Sequence, residues 1–386
     1  MRADLTIPAA PWMLWPETRA VMTALNHDDV NALFVGGCIR NELMKAEVKD
    51  IDIACKFTPE TTIKILNAAY IKTIPTGIKY GTITAIINDI SFEITSLRSD
   101  NNTDGRHADV SYGANWIDDA KRRDFTINAL YADMDGKIYD PLGTGLNDIQ
   151  EKNIRFIGDA NERITEDYLR ILRFFRFYGR YGNGTPDAAS FAACQKFADK
   201  INTLSIERIG DELQKIIRDD TAPISLSAMK KANLFDIDDT DIDALPTLIS
   251  LQNQLDIPNI HARLYLFSEL TKYFNINKLN IFIKQINEFK KWWLDTLKIH
   301  AALYLFGREI CVQGLLILKS TGHTISDTQI ADAISNPVPT FPVTATDIMD
   351  YFKISEGPDV GRKLKAAEKL WLSNPYLKTM DILNQI

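Results

Sequence analysis

Cysteine is scarce in this 386-residue chain. None of the four, Cys38, Cys55, Cys194 and Cys311, stands at a paired metal-ligand spacing or in the density of a disulfide framework. They read as reduced thiols, as expected of a cytoplasmic protein. No stretch reaches the roughly 18 uncharged apolar residues that would suggest a membrane span, so no membrane partner is expected. Asp4, Pro8 and Pro11 precede Trp12, which is not the basic-then-apolar order of a secretory signal. There is no Walker sequence, no internal repeat and no low-complexity tract. What remains is 45% hydrophobic and 25% charged residues, an ordinary globular composition with enough chain for two or more domains. A net charge of −7 does not favour a nucleic-acid partner, yet net charge is not the charge of one face.

The N-terminal pattern predicts a short helix over 17–27, an apolar strand from Val30 to Val35, and a helical rhythm over 38–45. A short strand is expected over Asp50 to Ala54. Thr58-Pro59-Glu60 has the order of a helix start: hydroxyl, proline, acid. β-rich runs follow near 71–74, 82–88 and 91–97, and 98–120 reads as a polar loop. The fold class is α/β, a mixed sheet with helices, followed by an all-α remainder. Helices are expected over Asn161 to Phe177, over Leu204 to Arg218, and through most of 221–386. Breaks fall near Ile257-Pro258, Ser320 to Gly322 and Asn336 to Pro342.

Asp50-Ile51-Asp52-Ile53 is the central chemical feature. On a strand, residues two apart point the same way, so both aspartates face out while the isoleucines enter the core. Carboxylates so close repel unless cations lie between them, and Mg²⁺ suits such ligands when substrate phosphates supply the rest. Glu93, between Phe92 and Ile94, could complete a three-carboxylate cluster from a neighbouring strand. Alone, the pattern more often describes solvated acids on a half-buried strand. Gly36-Gly37, between a strand and a helix, offers backbone N–H groups as a phosphate cradle, or is an ordinary tight turn. It lacks the later glycines of a dinucleotide fingerprint.

Two further groups stand out. Arg122-Arg123-Asp124 with Asn128 could bind phosphate and ribose, or form a salt-bridging patch at a helix start. Asp167 and Arg170, three apart, can share a helical face. That pair could read the amine and adjacent acceptor that cytosine and adenine both present, or be an intrahelical ion pair. Arg170, Arg173, Arg176 and Arg180 recur as a basic stripe, a track for RNA phosphates or a solvated face. Asp104-Gly105-Arg106-His107 falls in the polar loop and could move during nucleotide switching. His107 has no nearby histidine or cysteine with which to share a metal.

Leu33-Phe-Val-Gly-Gly-Cys-Ile-Arg40 with Asp50-Ile-Asp-Ile53 resembles the opening motif of the class II tRNA nucleotidyltransferases, the bacterial and eukaryotic CCA-adding enzymes. These share a superfamily with bacterial poly(A) polymerases. The resemblance continues in order through Thr76 to Thr84, Phe92-Glu-Ile-Thr95, Asp104 to His107, Arg122 to Leu130, Tyr139 to Gly143, and Ile154 to Gly158. It closes with Glu166-Asp-Tyr-Leu-Arg-Ile-Leu-Arg173 and Leu204-Ser-Ile-Glu-Arg-Ile209. Coverage is dense over 30–220. Two departures occur: Asn41 stands where the family usually has aspartate, and Tyr80 where it usually has histidine.

The resemblance implies a polymerase-beta-like nucleotidyltransferase head over 1–150 and a helical neck over 151–220 for nucleotide selection and RNA binding. A helical body over 221–335 and a tRNA-contacting tail over 336–386 would follow. Implied substrates are CTP, ATP and the tRNA 3′ end, with two Mg²⁺ ions on Asp50 and Asp52. Glu93 would help position or activate the attacking ribose hydroxyl. Gly36, Gly37, Arg40, Arg122, Arg123, Asp124 and Asn128 would hold the nucleotide, Asp167 and Arg170 would select the base, and Arg173, Arg176 and Arg180 would bind RNA. Rival readings are a poly(A) polymerase, an enzyme adding only part of CCA, or an inactive RNA-binding adaptor. The form of residues 74–84 and an acidic C-terminal half without a long basic tail disfavour the first, the long 98–120 segment the CC-only version of the second, and retention of all three carboxylates with both base-reading residues the last.

Overall fold

The computed structural model describes residues 2–104, 107–274 and 276–386, without the side chains of residues 99–111 and 276. Its strands are β1 (Leu5–Thr6), β2 (Ala32–Val35), β3 (Ile51–Cys55), β4 (Lys72–Gly77), β5 (Thr82–Ile87), β6 (Ile90–Ser96), β7 (Arg98–Asp104), β8 (His107–Tyr112), β9 (Tyr131–Ala132) and β10 (Lys137–Tyr139). Eight of them form one sheet in the order β1-β10-β9-β2-β3-β6-β5-β4. The β3–β6 pair is parallel and its neighbours are antiparallel, giving the mixed sheet that the sequence predicts. β7 and β8 pair separately as a hairpin, so the expected polar loop over 98–120 is instead a hairpin followed by a helix. The switching role suggested for Asp104 to His107 lies outside the described residues and side chains.

The chain divides into two units, Met1–Phe235 and Asp236–Ile386. In the first, α1 (Pro16–Leu25), α2 (Gly37–Leu43), α3 (Pro59–Ala68), α4 (Trp116–Lys121) and α5 (Gly145–Glu151) accompany the sheet. Thr58 caps α3, accepting from the Thr61 N–H, and Pro59 opens it. Then come α6 (Ala160–Glu166), α7 (Leu169–Tyr181), α8 (Ala188–Lys196), α9 (Ile206–Arg218) and α10 (Ala222–Lys231). α7 buries Ile171, Leu172, Phe174 and Phe175 on one side. A ring cluster ties it to the segment before β9: Phe125 lies 5.2 Å from Phe177 and 4.9 Å from Phe156, which stacks 5.7 Å from Phe174. α10 crosses α7 at Gly179, where a Cβ would come within 2.0 Å of Ser225 Oγ.

The helix expected over Asn161 to Phe177 is two helices. Asp167 ends α6 with φ −156° and ψ 107°, an extended conformation. Its Oδ1 accepts from the Leu169 N–H at 3.1 Å, offering the backbone a local alternative to a continuous helix.

The second unit is helical from Asp239 to Leu383. One of its helices, Ile299–Ser320, is long and apolar enough to cross a membrane, but 67% of its most apolar window is buried within the protein. Gly307, at φ 74°, breaks it. Val343, Ile348, Val360, Ala367 and Trp371 form a separate small core near the C-terminus. All four cysteines are buried and free.

Candidate active site

β2 runs into α2 through Gly36, whose φ of 73° and ψ of −119° glycine alone adopts readily. A Cβ there would lie 3.4 Å from Arg123 Nη1, so the missing side chain also admits that guanidinium. A Cβ at Gly37 would lie 3.7 Å from Arg40 Nη2 and 3.8 Å from Asp52 Oδ2. The turn therefore sits between the basic and acidic halves of the site.

On β3, Ile51 and Ile53 are buried and Asp52 emerges between them. β6 runs alongside in parallel register, with Asp52 opposite Glu93 while Phe92 and Ile94 enter the core. Asp50 lies one residue before β3 rather than within it, and is exposed. Burial pushes the Asp52 carboxyl up to about 6, reinforced by the negative charges of Glu93 and Asp50 and opposed by Arg123 and Arg40. This concentration of like charge fits a cation. Among the described residues no group of three His, Cys, Asp or Glu could hold a metal ion alone. The aspartates would therefore need oxygen ligands from substrate or water, the manner of Mg²⁺.

The basic wall is built on one buried acid. Asp119 on α4 is 1% exposed and holds Arg122 through Oδ1 at 2.6 Å and Arg123 through Oδ2 at 3.0 Å, while Tyr131 donates to it at 2.7 Å. Asp124 uses both oxygens within the protein. Oδ1 accepts from the Phe125 N–H and Asn128 Nδ2, both at 2.9 Å, and Oδ2 from Arg173 Nε and Nη2 at 2.9 and 2.6 Å. The expected acceptance from ribose is thus pre-empted, and Asp124 orients Asn128 and Arg173 instead. Asn128 Oδ1 in turn accepts from Arg40 Nη1 at 2.5 Å.

Removing the central acid has a calculable effect. Asp119→Ala leaves two half-buried arginines and the Tyr131 hydroxyl without their buried carboxylate, so we expect a loss of about 3 kcal/mol in denaturant unfolding. Despite burial, Arg123 and Arg122 hold the Asp119 carboxyl below its usual range, and Arg173 and Asn128 lower Asp124 to about 2. Their stabilisation is present above the unfolded value of about 4 and is lost as pH falls toward 2. Asp124→Asn should therefore flatten the acid limb of the stability profile. An unchanged limb in that variant would mean that the ion pair contributes nothing.

Asp167 and Arg170 do not share a continuous helical face, because the α6–α7 break lies between them, and they form no ion pair with each other. Asp167 Oδ2 pairs with Arg208 of α9 at 2.7 Å. Arg170 Nη1 bonds Glu166 and donates to the Arg163 carbonyl at 2.7 Å, leaving Nε and Nη2 without a protein partner among the described residues. Arg163 also bonds Glu166, and its Nη2 donates to the carbonyls of Arg122 and Arg123 at 2.6 and 2.7 Å. The basic wall and the α6–α7 break are thereby stitched together.

These elements line an open cavity of about 420 Å³. It is lined by Gly36, Gly37, Arg40, Asp52, Arg123, Asp124, Asn128, Asp167, Arg170 and Arg173, all singled out from sequence, together with Phe177. Asp50, Glu93 and Arg122 lie outside its lining. So do Arg176 and Arg180, which pair with Glu212 and, at 3.5 Å, with Asp219. The stripe is thus charge-paired, not a row of free cations. Sequence reasoning missed Asp119, Arg163, Glu166, Arg208 and Phe177. For Asp119 a signal was present, since it stands three and four residues before the two arginines.

Glycine turn, strand carboxylates and arginine wall on a mixed sheet, followed by helices, define a nucleotidyltransferase. Residues 32–155 match the family described as the Poly A polymerase head domain, and 185–237 match the probable RNA and SrmB-binding site of polymerase A. CCA tRNA nucleotidyltransferase 1, mitochondrial, of Homo sapiens is 33% identical over 378 residues, covering 90% of this chain and 84% of that one. The chain belongs to the CCA-adding tRNA nucleotidyltransferase family, within the superfamily shared with bacterial poly(A) polymerases. The CCA-adding enzyme of Oceanobacillus iheyensis is 40% identical over 200 residues, 51% of this chain and 48% of that one. The Bacillus stearothermophilus CCA-adding enzyme, solved in complex with CTP, shares the fold at a TM-score of 0.73 and 22% identity, with 94% of each chain covered.

Proposed function

We propose that this chain adds CCA to the 3′ end of tRNA from CTP and ATP, without a template, and releases pyrophosphate. The observation that carries the reading is the single cavity joining Asp52 and the glycine turn to Asp167 and Arg170, so that reacting phosphate and nucleobase share one site. The terminal ribose oxygen of the RNA bonds to the α-phosphorus in line as the bond to pyrophosphate breaks. Asp50 and Asp52 would hold two Mg²⁺ ions. Such ions, when bound, lower the pKa of the attacking hydroxyl and neutralise the leaving group.

The protein's own groups do the rest. Gly37, Arg40 and Arg123 receive the triphosphate; Gly36, whose N–H is taken by the Leu130 carbonyl at 3.1 Å, leaves room for Arg123, and Arg122 supports Arg123 through Asp119. Asp124 and Asn128 act by holding Arg173 and Arg40. Glu93, beside Asp52, orients the attacking hydroxyl. Asp167 accepts the exocyclic amine of cytosine or adenine with the lone pairs that Arg208 and Leu169 leave free, while Arg170 donates to the adjacent ring acceptor. Arg176 and Arg180, with Arg173, would carry RNA phosphates by sharing or exchanging their carboxylate partners Glu212, Asp219 and Asp124. In this reading 1–150 is the catalytic head, 151–220 the neck, 221–335 the body and 336–386 the tRNA-contacting tail.

Purified protein incubated with Mg²⁺, tRNA lacking its 3′ end and one labelled nucleotide at a time tests the reading. CTP alone should extend the tRNA, while ATP alone should extend only tRNA already ending in CC. Long A tails would instead indicate poly(A) synthesis, and no incorporation an adaptor.

A further inference from the structure

The row of side chains that begins at Asp52 does not end at Glu93. β5 pairs with β6 so that Thr84 stands opposite Glu93, which in turn stands opposite Asp52 on β3. Residues opposite one another across a ladder share a face, with Cβ atoms about 5 Å apart. Ile83 and Ala85, on either side of Thr84, are buried, so Thr84 lies on the outward face with both acids. One strand further, the register of β4 shifts between Ile74 and Gly77. The exposed Thr76 in that irregular stretch reaches the row, its Oγ1 2.8 Å from Thr84 Oγ1. Two hydroxyls that share one hydrogen bond keep an O–H and lone pairs unused, and neither has another partner among the described residues.

Threonine pairs are common in sheets, and Thr82 with Thr95, 3.0 Å apart in the next row, is one that calls for no ligand. The Thr84 pair differs in its place beside the third carboxylate, away from the nucleotide cavity. β2, which leads into Gly37 and Arg40, flanks β3 on one side, and β6 and β5 follow on the other. Accordingly Asp52 lines the cavity and Glu93 does not. In an in-line displacement the attacking and leaving oxygens lie on opposite sides of the phosphorus. With pyrophosphate leaving toward Gly37 and Arg40, the RNA end arrives from the β6 side. We propose that its terminal ribose lies over this row, the 3′ hydroxyl at Glu93 and the 2′ hydroxyl bonded to Thr84, with Thr76 a positioning residue. This inference rests on the assignment of the cavity to a nucleoside triphosphate and of Glu93 to the attacking hydroxyl. A 2′ hydroxyl both donates and accepts, and it is the group that distinguishes an RNA end from a DNA end. Thr84 is thereby a specificity determinant for the RNA, not for the incoming nucleotide.

The experiment compares the full chain with Thr84→Val, Thr84→Ser, Thr76→Val and Thr82→Val on two tRNAs ending in CC. One ends in ribose and the other in 2′-deoxyribose. Addition of A is followed in Mg²⁺ under single-turnover conditions, which resolve a slow end, together with the ATP KM and the thermal unfolding midpoint. Valine keeps the branched shape and strand preference of threonine and removes only the hydroxyl. Thr84→Val should lose about fivefold in rate on the ribose end and less than about twofold on the deoxyribose end. Thr76→Val should show the same selectivity at about twofold to threefold, Thr84→Ser should keep the parent's preference, and the ATP KM should hold throughout. Should Thr84→Val unfold early, Thr76→Val carries the same comparison from an exposed position. Equal loss on both ends or no loss in the Thr84 and Thr76 variants, or the selective loss in Thr82→Val, overturns the proposal while CCA addition stands. If the parent extends neither tRNA, CCA addition fails and the proposal with it.

Discussion

Asp52→Ala is expected to lower the incorporation of CTP and of ATP alike by about 10³-fold or more. A carboxylate holding a catalytic metal ion would supply several kcal/mol of transition-state stabilisation, and each 1.4 kcal/mol is about a factor of ten. The loss should not come from unfolding. Asp52 sits in a field of like charge from Glu93 and Asp50, and its ionised form is disfavoured by burial. Its removal should therefore leave thermal stability without divalent ions unchanged or higher. Activity lost while stability holds is the signature of a functional rather than a structural carboxylate. Asp50→Ala should behave similarly, and its exposed position outside β3 makes a folding explanation still weaker. Wild-type turnover in either variant would remove these residues from the reaction. The reading is further tested by titrating Mg²⁺ against the two variants, which should bind it more weakly than the parent.

Asp167→Ala is expected to relax base choice rather than simply slow the enzyme. UTP and GTP present a carbonyl where CTP and ATP present an amine, so a base-reading Asp167 carboxylate would meet them acceptor to acceptor. A well-placed edge contact carries about 1–3 kcal/mol of discrimination, or roughly tenfold to a hundredfold in relative kcat/KM. The structure adds a second route to the same defect. Arg208 holds Asp167 from α9, so Arg208→Ala should loosen the carboxylate and give a milder version of the phenotype. Arg170→Ala should depress both permitted nucleotides, because each loses a donor, and should also blur selection. A common factor of loss for all four triphosphates, with discrimination intact, would make Asp167 and Arg170 structural.

Much of this site was legible in the chain because its chemistry is periodic. Ile51 and Ile53 bracket Asp52, and Phe92 and Ile94 bracket Glu93, so strand alternation alone sets both acids on the outward face. The β3–β6 register that makes them neighbours is a tertiary fact that no local pattern contains. Asp167 and Arg170 both line the cavity, but not through the shared helical face that their spacing suggests. Their spacing suggested one helical face, whereas the aspartate's own bond to the Leu169 N–H interrupts the helix and turns the two side chains to separate partners. Local side-chain competition of this sort overrides the apolar rhythm that runs on through α7. The arginine stripe was visible as a periodicity. Its pairing with Asp124, Glu212 and Asp219 was not, because those acids come from residues 36 to 49 positions away. Gly36 was legible as a strand-to-helix turn, and the room it leaves for Arg123 emerged only with the fold.

The most direct test of the account is the sequence of the product made on a tRNA lacking its 3′ end when all four triphosphates compete at equal concentration with Mg²⁺. The wild-type protein should add C, C and A in that order and then stop, with U and G rare, and Asp167→Ala should show a marked rise in U or G misincorporation. Runs of A, or products whose composition follows nucleotide concentration in the wild-type protein, would contradict it.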